Sequence, residues 1–330
     1  MNNRRKLIVA LGAGAFSAPF ASFAQPQGKV WRIGILSPGL QPTGADRGIH
    51  SHFVNGLRDL GYVEGKNIAI EWRYADEKFE RLPALAAELV QLKVDIIATA
   101  PSSCVRAAQQ ATTVIPIVMF PLGNPVANGF AASLAHPGGN ITGVSNQSEE
   151  LDAKRLELLM SAAPKAMRLA EIVNPANPST MKRIPNLEAV VKKAGKEFSF
   201  VGVRAENEFA GAFDILKRER VGAILVSSDF FFTSHAPRLA ELALKHRLPS
   251  IFGARESAEA GGLMSYGADR GLMYRRVATY VDKILKGAKP GDLPIEQADK
   301  FEMVINLKTA KALGIKIPDV IMLRADKVIE

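Results

Sequence analysis

The chain has 330 residues, with 42 basic side chains, 33 acidic side chains and one cysteine, Cys104. A single cysteine excludes an internal disulfide, and a chain of this length can bury its own core and is expected to form about two domains. The basic residues alternate with acidic ones, as in Lys154-Arg155-Glu157. That pattern indicates solvated helix faces and argues against a nucleic-acid-binding protein, in which basic residues form a stripe.

Residues 1–24 have the pattern of a signal peptide. Three basic residues at positions 4–6 precede an apolar run over residues 7–23, and Ser22 and Ala24 are small, as a signal peptidase requires. A retained membrane anchor is the alternative, but glycines and a proline interrupt this run, which is short for a span. We therefore predict cleavage after Ala24, which removes three basic residues and lowers the formal net charge from +9 to +6. The arginine pair leaves the general secretory and twin-arginine routes both open.

The cysteine content narrows the destination of the exported chain. No cysteine lies near the predicted cleavage site, so no lipid anchor is expected. An exported protein without a lipid suits a bounded compartment, and we predict the periplasm. Cys104 follows two serines at a predicted helix start and is interpreted as a packing residue.

Short runs rich in valine and isoleucine alternate with amphipathic helical stretches along the rest of the chain. This alternation is typical of parallel α/β sheets, whose strands are buried on both faces. A faint internal repeat, in which residues 94–118 and 221–251 share one order of strand, serines, helix and strand, predicts two doubly wound lobes. The predicted strands are residues 30–36, 68–74, 94–99, 117–120, 169–173, 198–203, 223–226 and 250–252.

Turn-rich segments indicate where the chain passes between the lobes. We expect a first crossing near residues 144–147, a return at residues 261–267 and a third crossing after residues 290–294. Three crossings form a hinge and place a cleft at the carboxyl ends of both sheets, where open α/β folds bind ligands. The predicted lobes are residues 29–143 with 264–296 for lobe 1, and residues 144–263 with 297–330 for lobe 2.

Five motifs carry a specific resemblance. They are Pro137-Gly138-Gly139-Asn140-Ile141-Thr142-Gly143, His246-Arg247-Leu248-Pro249, Gly261-Gly262-Leu263-Met264-Ser265-Tyr266-Gly267, the segment 284–290 and the segment 304–314. In this order, from about Trp31 to Glu330, the chain resembles the ABC transporter substrate-binding protein family of type I periplasmic-binding fold, which includes tryptophan- and tyrosine-binding members. The resemblance implies an exported, monomeric receptor without a cofactor, which closes two lobes on a small molecule and delivers it to an inner-membrane ABC permease.

Polar side chains at the predicted strand ends supply candidate ligand contacts. Hydroxyls and backbone N–H groups at a helix start suit a carboxylate, although each such serine taken singly is better explained as a plain helix cap. Asp229 suits a ligand ammonium with the ring of Phe231 beside it, against the alternative of a turn acid next to core aromatics. Tyr266 either binds ligand or packs at the hinge. The candidates are Ser37, Ser102, Ser103 and Asn124 from lobe 1, Asn174, Asn177, Ser179, Asp229 and Phe231 from lobe 2, and Tyr266 from the return crossing.

Asn124 departs from the pattern of the family that the chain resembles, in which an aspartate commonly precedes the same proline. An amide donates to oxygen or accepts from a weak donor, and it does not neutralise a ligand amine. An amino-acid-like ligand remains the first expectation, with another small carboxylate, an amide or a nucleobase as alternatives. We expect Asn124 and Asp229 to face each other across the cleft.

The sequence offers no catalytic motif and no metal site. His-Glu-x-x-His, Cys-x-x-Cys, P-loop and Gly-x-Ser-x-Gly patterns are absent from the exported part, and His50 and His52, two residues apart, do not share a helix face. We therefore predict a binding protein, with no enzyme activity. A periplasmic subunit that senses a ligand and, less favoured, an exported hydrolase remain alternatives.

Overall fold

A computed structural model describes residues 29–42, 48–147, 151–175 and 177–330, apart from the side chains of residues 178–180. The predicted signal peptide lies outside the described residues. Residues 31–330 form one compact unit that contains two sheets, one of six strands and one of seven. Among the described residues, no helix combines the length and the apolar character that a membrane crossing needs.

The first sheet is parallel throughout and has the strand order β11-β5-β4-β3-β1-β2. Its strands are β1 (Trp31–Ser37), β2 (Ile68–Tyr74), β3 (Ile96–Thr99), β4 (Ile117–Leu122), β5 (Ile141–Ser145) and β11 (Glu296–Gln297). The helices that accompany it are α1 (His50–Asp59), α2 (Leu82–Gln91), α3 (Ser102–Ala111) and α10 (Arg270–Leu285).

The second sheet has the order β13-β12-β10-β9-β8-β6-β7 and is parallel except where β10 meets β12. Its strands are β6 (Arg168–Val173), β7 (Glu197–Gly202), β8 (Ala223–Val226), β9 (Ser250–Phe252), β10 (Met264–Ala268), β12 (Phe301–Asn306) and β13 (Lys327–Ile329). Its helices are α4 (Asp152–Ala162), α5 (Pro178–Lys193), α6 (Phe209–Arg218), α7 (Phe230–Ser234), α8 (Ala236–Lys245), α9 (Arg255–Glu259), α11 (Leu307–Leu313) and α12 (Asp319–Met322).

Each sheet is buried on both faces, which explains the continuous apolar runs in its strands. In the first sheet, Ile33 and Ile35 belong to a core cluster with helix α10, whereas Leu36 belongs to a second cluster with helices α2 and α3. Cys104 lies in that second cluster, and burial raises the pKa of its thiol to about 12, so the cysteine is a packing residue. The second sheet likewise separates two apolar clusters.

The architecture confirms the predicted fold class of two wound α/β lobes joined by three crossings. The crossings follow Ser145, Ala268 and Gln297, the last residues of β5, β10 and β11. The first and third crossings are tied together, since Ala298 donates its backbone N–H to the Ser145 carbonyl at 2.8 Å. Gln147 also donates its amide to the Ala298 carbonyl at 2.8 Å.

The predicted position of the return crossing was wrong by a few residues. The sequence pattern predicts the segment 264–268 in lobe 1, but it forms strand β10, which pairs with β9 and β12 in the second sheet. A short strand of small and apolar residues has the same composition as a turn-rich crossing, so the sequence pattern does not separate the two. Tyr266 therefore lies in a strand of the second lobe, and the crossing follows Ala268.

Candidate functional site

A cavity of about 120 Å³ lies between the two lobes, at the carboxyl ends of strands from both sheets. Lobe 1 contributes the segments that follow β3 and end β4, together with the first turn of α10. Lobe 2 contributes the segments that follow β8 and β9 and the N-terminal halves of α4 and α5. Open α/β sheets bind ligands at this edge, because the loops after parallel strands gather there.

The wall from lobe 1 presents the start of helix α3. Ser102 is the first residue of the helix and lines the cavity. The backbone N–H groups of Cys104 and Val105 donate to the Pro101 carbonyl, at 2.9 and 3.1 Å, so those of Ser102 and Ser103 precede the helical ladder. N–H groups in this position favour an anion, because the helix dipole is positive at this end.

The wall from lobe 2 presents the carboxylate of Asp229. This residue caps helix α7: its Oδ1 accepts the Phe231 backbone N–H at 2.9 Å and the Asn174 amide at 3.4 Å. Its Oδ2 accepts the Asn177 amide at 3.0 Å. Three donors hold the carboxylate in one orientation beside the cavity.

A buried ion network forms the floor of the cavity in lobe 2. Asp152, Arg155 and Arg183 line the cavity, and Glu171 lies behind them. Asp152 pairs with both arginines, and its Oδ2 lies 2.5 Å from Arg183 Nη1. Arg183 also pairs with Glu171, and Arg155 Nε donates to the Tyr266 carbonyl at 2.7 Å. Within lobe 2, the network therefore joins helix α4 to strand β10, which leads into the hinge.

Arg155 does not lie on the solvated helix face that the neighbouring charges predict, so this prediction is wrong. Both Arg155 and Asp152 are 1% exposed, and Glu171 is fully buried in strand β6. Burial raises the pKa of the Glu171 carboxyl to about 7, although Arg183 acts in the opposite direction. Charges buried to this degree need partners with good geometry, because their loss of hydration is otherwise uncompensated.

Ser228 adds a polar atom with no partner among the described residues. Its Oγ is buried and makes no hydrogen bond, and the residue lines the cavity. A Cβ placed on Gly253 would lie 2.0 Å from this oxygen, so glycine at 253 leaves the space that Ser228 occupies. Buried hydroxyls are normally hydrogen-bonded, and a ligand in the cavity would satisfy this one.

Arg270 connects the two lobes across the cavity. It begins helix α10 of lobe 1, and its Nη1 donates to Oε1 of Glu256 in lobe 2 at 3.2 Å. The guanidinium lies 5.9 Å from the Tyr274 ring centre, and that ring stacks on Phe120 at 4.7 Å. The cavity thus has an aromatic face on the lobe 1 side and a charged contact between the lobes.

Of the predicted site residues, the structure brings Ser102, Asn177 and Asp229 to the cavity. The side chain of Ser179 lies outside the described part of the chain. Asn174 supports Asp229 from behind, and Phe231 packs on Phe209 and His235. The other candidates that lie beyond the cavity lining are Ser37, Ser103, Asn124 and Tyr266.

Asn124 follows the lining residue Gly123 and caps its own turn, since its Oδ1 accepts the Ala127 backbone N–H at 3.0 Å. Its expected position opposite Asp229 stays a prediction. His50 packs edge-on against Trp72, Phe120 and Tyr274. Within the described ranges, no group of three histidine, cysteine or acidic residues is arranged to hold a metal.

The chain is similar in sequence to a known protein family and to one of its relatives. A family model described as "ABC transporter substrate binding protein" matches residues 44–329. The chain is 29% identical over 264 residues to a tyrosine-binding protein of Clostridioides difficile (strain R20291), covering 80% of this chain and 76% of that relative.

Solved structures share the fold. An ABC domain in complex with L-Trp from Streptococcus pneumonia is 24% identical, with a TM-score of 0.81 over 91% of this chain and 99% of that one. A ligand-free, open substrate-binding protein with adhesive properties from Clostridium difficile is 26% identical, with a TM-score of 0.66 and the same coverage of both chains.

Proposed function

We propose that this chain, which belongs to the ABC transporter substrate-binding protein family, is an exported receptor for an amino-acid-like ligand and delivers that ligand to an ABC permease. Membership confirms the resemblance carried by the five sequence motifs. The family consists of proteins that bind solutes for transport, and the proposal concerns which ligand this member binds and where it does so.

The observation that carries the proposal is the pairing of opposite charge preferences across the cavity. Asp229 in lobe 2 is a fixed carboxylate and suits a ligand ammonium, while the N-terminus of helix α3, at Ser102 in lobe 1, suits a ligand carboxylate. A zwitterion that spans the cavity satisfies both walls at once. Its binding therefore favours the state in which the lobes lie close together.

The apolar part of the cavity supports a ligand with a hydrophobic side chain. Phe230, Phe232 and Phe252 line it from lobe 2, and Tyr274 lines it from lobe 1. Tyrosine and tryptophan, which the relatives' names mention, are the first ligands to test, ahead of another small carboxylate, an amide or a nucleobase.

The proposal also covers the location of the protein and its oligomeric state. Cleavage after Ala24 releases a chain that begins at Gln25 into the periplasm without a lipid anchor. The mature protein acts as a monomer, binds ligand without a cofactor and has no enzyme activity. A receptor subunit that signals, rather than one that transports, is the alternative that shares the same cleft.

Thermal unfolding with a panel of small molecules tests this function. A ligand that binds only the folded state at about 100 times its Kd adds roughly 2.7 kcal/mol to the unfolding free energy. L-Tyrosine, L-tryptophan or another amino acid should therefore raise the melting temperature by about 5 °C. D-Tyrosine and a pentose serve as matched controls. If no amino acid, carboxylate, amide or nucleobase changes the melting temperature while a chromogenic ester is hydrolysed, the protein is a hydrolase.

A further inference from the structure

The mouth of the cleft contains a contact between the lobes that the binding chemistry does not explain. Phe230, the first residue of helix α7 in lobe 2, lines the cavity and reaches Gly39 of lobe 1. A Cβ built on Gly39 would lie 3.2 Å from Cζ and 3.6 Å from Cε1 of that ring. The tip of the Phe230 ring would therefore make an unusually tight contact with a Cβ at residue 39.

We propose that Gly39 and Phe230 form the contact that seals the cleft over its ligand, and that the absence of a side chain at residue 39 determines how far the lobes close. The inference rests on the proposed function in one respect, namely that closure retains a ligand. The geometry of the contact itself is independent of which ligand is bound.

Glycine at position 39 is not needed by lobe 1 itself. Its φ lies outside the left-handed region that favours glycine, which Gly48 and Gly61 of the same lobe do adopt. Within lobe 1, the nearest atom to a Cβ at this position is Ser37 Oγ at 3.7 Å, an ordinary contact. Among the described residues, a Cβ at residue 39 therefore makes an ordinary contact within lobe 1, and its tightest contact is with Phe230 from lobe 2.

The lobe 1 side of this contact is ordered. We call residues 37–41 and 75–78 the rim. Its two segments are joined by backbone hydrogen bonds, from Ala75 to the Ser37 carbonyl at 2.9 Å, from Asp76 to that of Gly39 at 3.1 Å and from Glu77 to that of Pro38 at 2.8 Å. An ion pair of 2.6 Å between Asp76 and Arg81 holds the second segment in place.

A second contact joins the rim to the region of α7. His235 follows α7, and its Nε2 lies 3.8 Å from the Glu77 carboxylate of the rim and 3.7 Å from that of Glu206 in lobe 2. Its Nδ1 lies 2.8 Å from the Phe231 carbonyl, which fixes the ring. Phe230 and His235 therefore meet the rim at two points, as expected of a surface that docks when the lobes close.

The direct test is to place a side chain at residue 39. Gly39→Val should lower the closed fraction, and since the apparent Kd is the intrinsic Kd divided by that fraction, a drop to a tenth weakens ligand binding about tenfold. Gly139→Val is the matched control, because Gly139 also lies in lobe 1 and has no left-handed φ, and an added Cβ would meet no described atom within 4 Å beyond its chain neighbours.

A double variant separates closure from local damage. Phe230→Ala removes the ring that the new valine would strike, so in the Phe230→Ala background Gly39→Val should cause no further loss of affinity for the probe, L-tyrosine. If the two losses simply add, residue 39 acts within lobe 1 and the proposed contact is wrong. Unchanged affinity in Gly39→Val alone would also overturn it.

Distance measurement gives a readout that needs no known ligand. Nitroxide labels on Glu80→Cys in lobe 1 and Asn207→Cys in lobe 2, both exposed, report lobe separation by pulsed electron paramagnetic resonance. The native Cys104 is buried. In protein as isolated, Gly39→Val should shift the distances to longer values than in the wild type and in Gly139→Val. The same distribution in all three overturns the inference. If the wild type does not bind L-tyrosine but the distances still shift, the ligand proposal fails and the closure contact holds.

Discussion

Replacing Arg155 by methionine is expected to lower the free energy of unfolding by about 3 to 5 kcal/mol, since removing one partner of a buried ion pair leaves the other without compensation. Arg155 is 1% exposed and binds both Asp152 and the Tyr266 carbonyl. Methionine retains much of the packing of the side chain but none of its donors. Chemical denaturation followed by circular dichroism measures the loss.

The neighbouring residue provides the control. Lys154 lies on the same helix, is 41% exposed at its side chain and pairs with Glu157 at 2.8 Å. Lys154→Met should change stability by no more than about 0.5 kcal/mol, because exposed pairs contribute little. Equal stabilities for Arg155→Met and Lys154→Met would contradict the description of the cavity floor as a buried ion network.

Replacing Asp229 by alanine is expected to weaken ligand binding by about 2 to 5 kcal/mol, because the proposed ligand ammonium would then be buried without a partner. The substitution also removes the cap of helix α7, which costs about 1 kcal/mol of stability. Isothermal titration well below the melting temperature separates the two effects, since it compares the affinities of folded proteins.

Two further variants make this result specific. Asp214→Ala removes an exposed acid from helix α6 of the same lobe, and its affinity should equal that of the wild type. Asn124→Asp introduces the acid that the family resemblance leads one to expect, and it should favour an amine-bearing ligand and disfavour an anionic one. Wild-type affinity in Asp229→Ala would show that the lobe 2 ligand contacts lie elsewhere.

The strands were predictable because burial on both faces leaves a strong signal in the sequence. Runs such as Ile117–Leu122 and Ala223–Val226 are almost wholly apolar, and the helices between them are amphipathic. The internal repeat predicted two lobes, and the turn-rich segments predicted three crossings between them. The exact return crossing did not follow, because pairing of β10 with β9 and β12 depends on residues distant in the sequence.

The buried ion network was partly predictable from the positions of its charged residues, although the alternating charges of the same segment suggested an exposed helix face. Asp152, Arg155, Leu156 and Leu159 follow helical spacing and share the buried face of α4, so two charges lie where the periodicity predicts apolar residues. Glu171 likewise interrupts a buried strand. Asp152, Arg155 and Glu171 are therefore charged residues at positions where an apolar residue is expected, and a buried charge implies a charged or polar partner. The identity of that partner depends on tertiary contacts, which the spacing of residues in the sequence does not give.

Which of the three consecutive phenylalanines lines the cavity could not be predicted from the sequence. Sequence reasoning selected Phe231 as the ring beside Asp229, whereas Phe230 and Phe232 line the cavity and Phe231 packs on Phe209. The direction of each ring depends on where the short helix α7 begins and how it is capped by Asp229. Helix boundaries are the least predictable property of a sequence pattern, and here one residue decides which ring meets the ligand.

Native mass spectrometry of the protein released by osmotic shock and purified without denaturation tests the central claim most directly. We expect a single chain that begins at Gln25, with one small amino-acid-like molecule bound noncovalently and released on activation in the gas phase. Recovery of a chain that retains residues 1–24 in the membrane fraction would contradict the proposed export. A mature chain that carries no small molecule and acquires none from L-tyrosine, L-tryptophan or a mixture of amino acids would contradict the proposed ligand class.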